Sequence, residues 1–220
     1  MRILITLLSL TLIASCTLPG RNTTPTGTGT TPTPTTAKYD VALQKSIPSP
    51  TYGTGKHMIT IYADFQCPAC IAYSRSVGGL LESYAASGKV MITYKQFPLT
   101  QIHKNAYRDS IAGLCAAEQG KYMDYKKTLY SLEEQKSGAA VTDADRVEIA
   151  RANGLDAAAM TQCLAVNRYA AQVDAEMAEG DAKWVTGTPT TYLDGSRLDI
   201  GAIFADMQKG KAFMERMLAQ

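Results

Sequence analysis

The sequence predicts an α/β domain in which a βαβ unit and a closing ββα unit are separated by a long helical insert. Three observations predict it. Residues 58–65, MITIYADF, alternate like a strand and run directly into CPAC at 67–70. Residues from about 103 to 183 carry apolar positions at helical spacing. Two short β-type runs, TTYL and SRLDI, then flank Asp194-Gly195, a pair suited to a tight hairpin.

Taken in order, the first strand places Ile59, Ile61, Ala63 and Phe65 on one face and Thr60, Tyr62 and Asp64 on the other, the pattern of a partly buried strand. A helix is expected from Pro68 to just before Gly88, whose missing side chain suits a left-handed cap. Tyr73 and Tyr84 are expected to pack on it. VMITYKQF at 90–97 reads as the second strand. In the insert, Tyr107, Ile111, Leu114 and Cys115 form one stripe, and Tyr122, Tyr125, Leu129 and Leu132 a second. Thr142 and Asp145 match a capping box, with Gly154 closing that helix. Asp156 is the expected N-cap of a helix whose apolar face holds Met160, Cys163 and Leu164. Trp184 is expected in the core, with shaping of the groove at the active site as the alternative, and His103 at a helix start with no chemistry. After the hairpin, Phe204, Met207, Phe213 and Met217 mark a final helix.

The region before this domain has a different character. Residues 1–15, MRILITLLSLTLIAS, carry one positive charge at Arg2, an apolar run too short for a permanent bilayer span, and small residues before Cys16. Ile13-Ala14-Ser15-Cys16 resembles a bacterial lipobox, which implies cleavage before Cys16 and lipid on its sulfur. An ordinary signal peptide is the alternative, and either reading exports the chain. Residues 16–38 are rich in Thr, Pro and Gly and have nothing to bury, so a flexible tether is expected there. The 182 residues that follow, taken as 39–220, are enough for one domain with a real core. The balance of 22 basic and 20 acidic residues gives no electrostatic reason to expect nucleic acid.

Five cysteines would leave an exported chain with an odd thiol. Assigning Cys16 to a lipid leaves Cys67, Cys70, Cys115 and Cys163, which allow three pairings among which the sequence does not choose. CPAC itself could be a redox couple, half a metal site or a structural clip. A closed zinc site needs four ligands, but there is no second CxxC and the only histidines are His57 and His103. A purely structural disulfide across so short a loop is strained. Redox chemistry fits better. A cysteine at a helix start faces unpaired N–H groups that stabilise a thiolate, so Cys67 is expected to have a lowered pKa and to be the attacked sulfur. Cys70, one turn on and facing inward, suits the resolving role.

CPAC at the first helix and Gly187-Thr188-Pro189-Thr190 before the hairpin together resemble the thioredoxin fold. The helical insert, with DFQCPAC, CAAEQGKY and GTPT, narrows the resemblance to DsbA-like thiol:disulfide oxidoreductases over residues 56–218. The resemblance implies a cis bond before Pro189, packing of that proline on the CxxC pair, and pairing of the Thr188 backbone with an extended substrate; a trans proline opening an edge strand is the alternative. It also supports a second, structural disulfide between Cys115 and Cys163, against two unpaired buried thiols. Many oxidising members place His between the cysteines, where Pro68-Ala69 carries no charge. The family's buried acid would fall at Ile61, leaving Asp64 as the nearest carboxylate, either a proton-transfer aid or a solvated strand-end residue.

The expected function is exchange of the CPAC disulfide with exported proteins, most readily as a disulfide-forming oxidase. It needs no cofactor and no metal. A membrane redox partner would reoxidise the pair, and the protein would be monomeric, lipid-anchored and outside the cytoplasm in the bacterial envelope. The alternatives are a reductase or isomerase of the same fold, or a chaperone-like protein that holds unfolded exported chains.

Overall fold

In the computed structural model the described residues are 39–219; the expected signal peptide, Cys16 and the tether lie outside them. Among the described residues five strands form one sheet in the order β1-β3-β2-β4-β5. β2 (His57–Ala63) and β3 (Val90–Gln96) are parallel, whereas β1 (Thr51–Tyr52) and β4 (Thr190–Leu193) pair antiparallel to β3 and β2 respectively. β5 (Ser196–Arg197) closes the hairpin with β4, and only the first two residues of SRLDI join it. Asp194 and Gly195 both adopt positive φ, 49° and 82°, as the tight turn requires. β1 was not anticipated, because two exposed residues carry no periodic signal.

The expected first helix is two. α1 (Pro68–Arg75) ends at Ser76 and α2 (Val77–Ala86) begins again beyond it. Ser76 leaves helical geometry at φ −114°, ψ −92°, and its hydroxyl donates to Ala72 O at 2.9 Å, drawing the chain out of register. The last helix is likewise divided into α8 (Ile200–Ala205) and α9 (Met207–Met217) by Asp206, which accepts from Lys209 N as an N-cap.

The insert comprises α3 (Ala106–Glu118), α4 (Tyr122–Lys136), α5 (Asp143–Ala152), α6 (Ala157–Ala165) and α7 (Ala170–Ala182). Thr142 and Asp145 form a reciprocal capping box, and the Asp156 carboxylate accepts from Ala158 N and Ala159 N. α7 lies against the second face of the sheet, which corrects the expected alternation in β2. Tyr62 is fully buried there, donating to Glu179 Oε1 at 2.9 Å and packing edge-on against Phe97. Gly180 permits this approach: a Cβ there would lie 2.6 Å from the Phe97 ring. The sheet is thus packed against on both sides: β2 buries Ile61 and Tyr62 on opposite faces, while β3 alternates buried and half-buried residues.

α3 and α6 are joined by a disulfide between Cys115 and Cys163, with Cα atoms 6.1 Å apart across 48 residues of sequence. Both cysteines are buried among Leu114, Met160, Leu164 and Ala116 in the main core. Closing a loop of this length removes denatured-state entropy worth about 4 kcal/mol in the chain-entropy model, with native strain and residual structure subtracting from it. Replacing both residues by alanine is expected to lower the unfolding free energy by about 2–4 kcal/mol in urea melts. A loss well under 1 kcal/mol would show that the insert does not depend on the link.

Candidate active site

The site is built where β2 passes into α1. Cys67 is the N-cap of α1, at φ −71° and ψ 119°, and Pro68 occupies the first turn, where no N–H is needed. The cysteine sulfur therefore sits over the open N–H groups of a helix start. Across from it, the Thr188-Pro189 bond is cis, and the Cys67 sulfhydryl faces Thr188 O at 3.4 Å. The Thr190 hydroxyl donates to Gly187 O at 2.7 Å, closing the turn that carries this bond. Tyr73 OH and Thr191 Oγ1 share a hydrogen bond of 3.1 Å that ties α1 to β4. CPAC and GTPT, 121 residues apart, meet face to face.

The two sulfurs are electrostatically unequal. A hydrogen bond from the Cys70 thiol is the largest influence on Cys67 and, against the opposing effect of burial, brings its pKa down to about 5; Thr188 and the N–H groups of Cys70 and Ala69 add to the lowering. Burial is the main reason that the Cys70 thiol is pushed well above its ordinary range, and donation to the Cys67 sulfur adds to it. None of these groups is a cation. The pair is arranged as thiolate and donor thiol, with the thiolate at the outer position.

Asp64 is fully buried, so it is not a solvated strand end. Its carboxylate accepts Gln66 N at 2.7 Å on Oδ1, and Leu99 N at 2.9 Å and His103 Nδ1 at 2.7 Å on Oδ2. Its main chain touches both cysteines: Asp64 O accepts from Cys67 N at 3.3 Å, and Asp64 N donates to Cys70 Sγ at 3.5 Å. His103, to which the sequence reading assigned no chemistry, is thus joined to the CPAC loop. It lies in the turn between β3 and α3 rather than in a helix. Gln66 and Asn105 add a further cross-link, Asn105 N donating to Gln66 Oε1 at 2.9 Å. No local signal pointed to these contacts, since 39 residues separate each pair.

Trp184 is 80% exposed with φ 60°, so it is not a core residue. The core beneath the site is filled instead by Phe65, Tyr73, Tyr94, Tyr122 and Tyr130. A groove of about 560 Å³ runs beside the pair, lined by Pro68, Ile71, Ala72, Ile102, His103 and Lys104 among others. Among the described residues, no group of three or more His, Cys, Asp or Glu side chains is placed to hold a metal ion.

A thioredoxin family model matches residues 48–209. The chain belongs to the thioredoxin family. Within it, the fold is DsbA-like: this chain is similar to BdbD of Bacillus subtilis (16% identity, TM-score 0.67, covering 83% of this chain and 96% of that one) and to DsbA of Chlamydia trachomatis (20%, TM-score 0.65, 86% and 98%). It is also 30% identical over 136 residues to the Na(+)/H(+) antiporter NhaA 3 of Salinispora tropica, a match covering 62% of this chain and 20% of that protein. The match therefore spans about a fifth of the length of that relative. The resemblance drawn from CPAC, GTPT and the helical insert is to this same thioredoxin family.

The Cys67 environment has a measurable pH signature. Its folded pKa lies below the free-thiol value of about 8.5, so the thiolate stabilises the reduced fold in full above that unfolded value, and the stabilisation is lost as pH falls through about 5. The melting temperature of the reduced protein, relative to the oxidised one, is expected to rise from pH 5 towards pH 8.5. Cys67 is expected to be alkylated ahead of Cys70 by limiting iodoacetamide at neutral pH. Labelling of Cys70 first would reverse the assignment.

Proposed function

We propose that this protein is an extracytoplasmic thiol:disulfide oxidoreductase that passes its Cys67–Cys70 disulfide to exported proteins bearing free cysteines. The observation that carries the reading is the asymmetric pair at the helix start, opposite a cis-proline loop. A substrate thiolate attacks Cys67 Sγ; the Cys67–Cys70 bond breaks, and Cys70 departs with its electron pair and takes up a proton. The substrate's second thiolate then attacks the substrate sulfur of the mixed disulfide. Cys67 leaves as a thiolate, so the substrate loses two electrons and the pair gains them.

Direction follows from which state the site favours. A thiolate stabilised by neighbouring donors is a good leaving group and lowers the energy of the reduced pair, which makes the disulfide an oxidant. This supports the oxidase over the reductase or isomerase even though Pro68-Ala69 supplies no charge. The Thr188 main chain, held beside Cys67, gives an extended substrate an edge to pair with whatever its side chains. Asp64 is proposed as a structural partner of this loop instead of a proton carrier, because its carboxylate is already occupied. The couple needs no cofactor; a membrane redox partner returns it to the disulfide. The protein acts as a monomer from the bacterial envelope, held through lipid on Cys16 after loss of residues 1–15, with 16–38 as tether.

Cys67→Ser is expected to abolish oxidation of a reduced two-cysteine peptide, and Cys70→Ser to accumulate the mixed disulfide on Cys67. Peptide oxidation by Cys67→Ser would refute the proposal, whereas peptide binding without exchange by the wild type would favour a chaperone-like holder. In glutathione buffers the couple is expected to equilibrate well above thioredoxin's potential of about −270 mV, and a value near that figure would favour a reductase. For the anchor, wild-type protein is expected in the membrane fraction and Cys16→Ser in the soluble one. Wild type found soluble with the mass of the bare chain would remove the lipid.

A further inference from the structure

We propose that His103, acting through Asp64, is a positioning residue of the redox couple: the His103–Asp64 bridge holds the Asp64 N–H on the Cys70 sulfur and thereby sets the rate and equilibrium of exchange. The inference rests on the redox reading of Cys67 and Cys70 and adds to it a residue outside the CPAC loop.

The argument begins with the carboxylate. A buried carboxylate must have its lone pairs satisfied, and Asp64 does this through three donors, two of them from residues 99–103. A carboxylate oxygen has no proton to give and can only accept, so in the 2.7 Å contact His103 Nδ1 donates. The bond fixes the orientation of Asp64, and the same residue's peptide groups reach both cysteines, accepting from Cys67 N and donating to Cys70 Sγ. A shift of the Asp64 main chain cannot leave these contacts in place, and the anchored carboxylate opposes such a shift.

The contact to Cys70 matters at the step where the pair is reduced. When the substrate thiolate attacks Cys67, the electron pair of the breaking bond goes to Cys70, in a site whose burial disfavours the thiolate. The Asp64 N–H is a donor aimed at that developing charge, and it favours the ionised sulfur. His103 touches neither sulfur by hydrogen bond; it secures the donor. It also lines the groove beside Pro68, so a segment docking there meets the bridge directly.

The test compares two amides at position 103. His103→Asn places an amide donor where Nδ1 stands, and His103→Gln places it one bond further out, where Nε2 stands, with the polarity kept in both. The readouts are the second-order rate of oxidation of a reduced two-cysteine peptide and the glutathione equilibrium constant. His103→Asn is expected to stay within about threefold of wild type in both, and His103→Gln to fall by about tenfold in rate with a shifted equilibrium, as loss of alignment at a reacting centre does. Asp64→Asn, which cannot accept all three donors, is expected to resemble His103→Gln. The double variant Asp64→Asn/His103→Gln should be no worse than either single one.

Equal rates and equilibria for wild type, His103→Asn and His103→Gln would overturn the proposal, even if His103→Gln melts earlier. Losses that add in the double variant would overturn it as well. A wild-type protein with no exchange activity refutes the redox reading itself, which separates the two failures.

Discussion

The burial of one carboxylate organises the end of this molecule that carries CPAC. Asp64 follows the central strand inside the protein, and a carboxylate buried there must find donors for both of its oxygens. Two donors come from a segment 35 and 39 residues further on, so the turn after β3 has to close over the β2–α1 junction. Gln66 receives Asn105 N in the same closure, and Phe97 N donates to Ala63 O beside it. With the junction held at its side chains, its main chain is free to serve the cysteines. The position of the helix start, and therefore of Cys67, follows from that.

From this placement the chemistry of the pair needs only short-range dipoles. A cation between the cysteines would stabilise the Cys67 thiolate through space; here a thiol and helix N–H groups do so at contact distance. Such donors are preorganised by the helix start, so they need no reorganisation as charge develops. The same burial that gives Cys70 its high pKa makes it the donor to Cys67. One hydrogen bond thus stabilises the Cys67 thiolate and adds to what burial does to Cys70.

The helical insert contributes a rigid wall to this site. Its core is cross-linked by the Cys115–Cys163 bond and by Arg146, which donates from Nε to the buried Asp109 at 2.8 Å and from Nη1 to Val141 O at 2.8 Å. Burial is the main reason that Asp109 is held well above the usual carboxylate range, Arg146 opposing it. Glu133, one turn before the end of α4, accepts from Asn105 Nδ2 at 3.0 Å and so joins the insert to the loop that carries His103. An Arg75–Glu134 ion pair spans from α1 to α4 at the groove's rim. The groove beside Cys67 is therefore bounded by elements fixed to one another.

Local features were legible in the sequence because local forces produce them. The strand periods of 58–65 and 90–97, the Thr142–Asp145 capping box, the Asp156 N-cap, the Asp194-Gly195 turn and the helix start at Pro68 each depend on a few neighbouring residues. CPAC and GTPT could be brought together in advance only by resemblance to a family. What the tertiary structure alone decided involves surfaces supplied by distant segments. Tyr62 is buried because α7 covers the second face of the sheet, and the polar side of its alternation disappears. Trp184 is exposed because Val185 and Phe97, not the indole, occupy the space against Tyr62. Asp64 and His103 pair across 39 residues, and neither residue's neighbours announce it. Periodicity records which side of an element is apolar, whereas the partner of a buried charge is set by chain closure, and no period in the sequence encodes that.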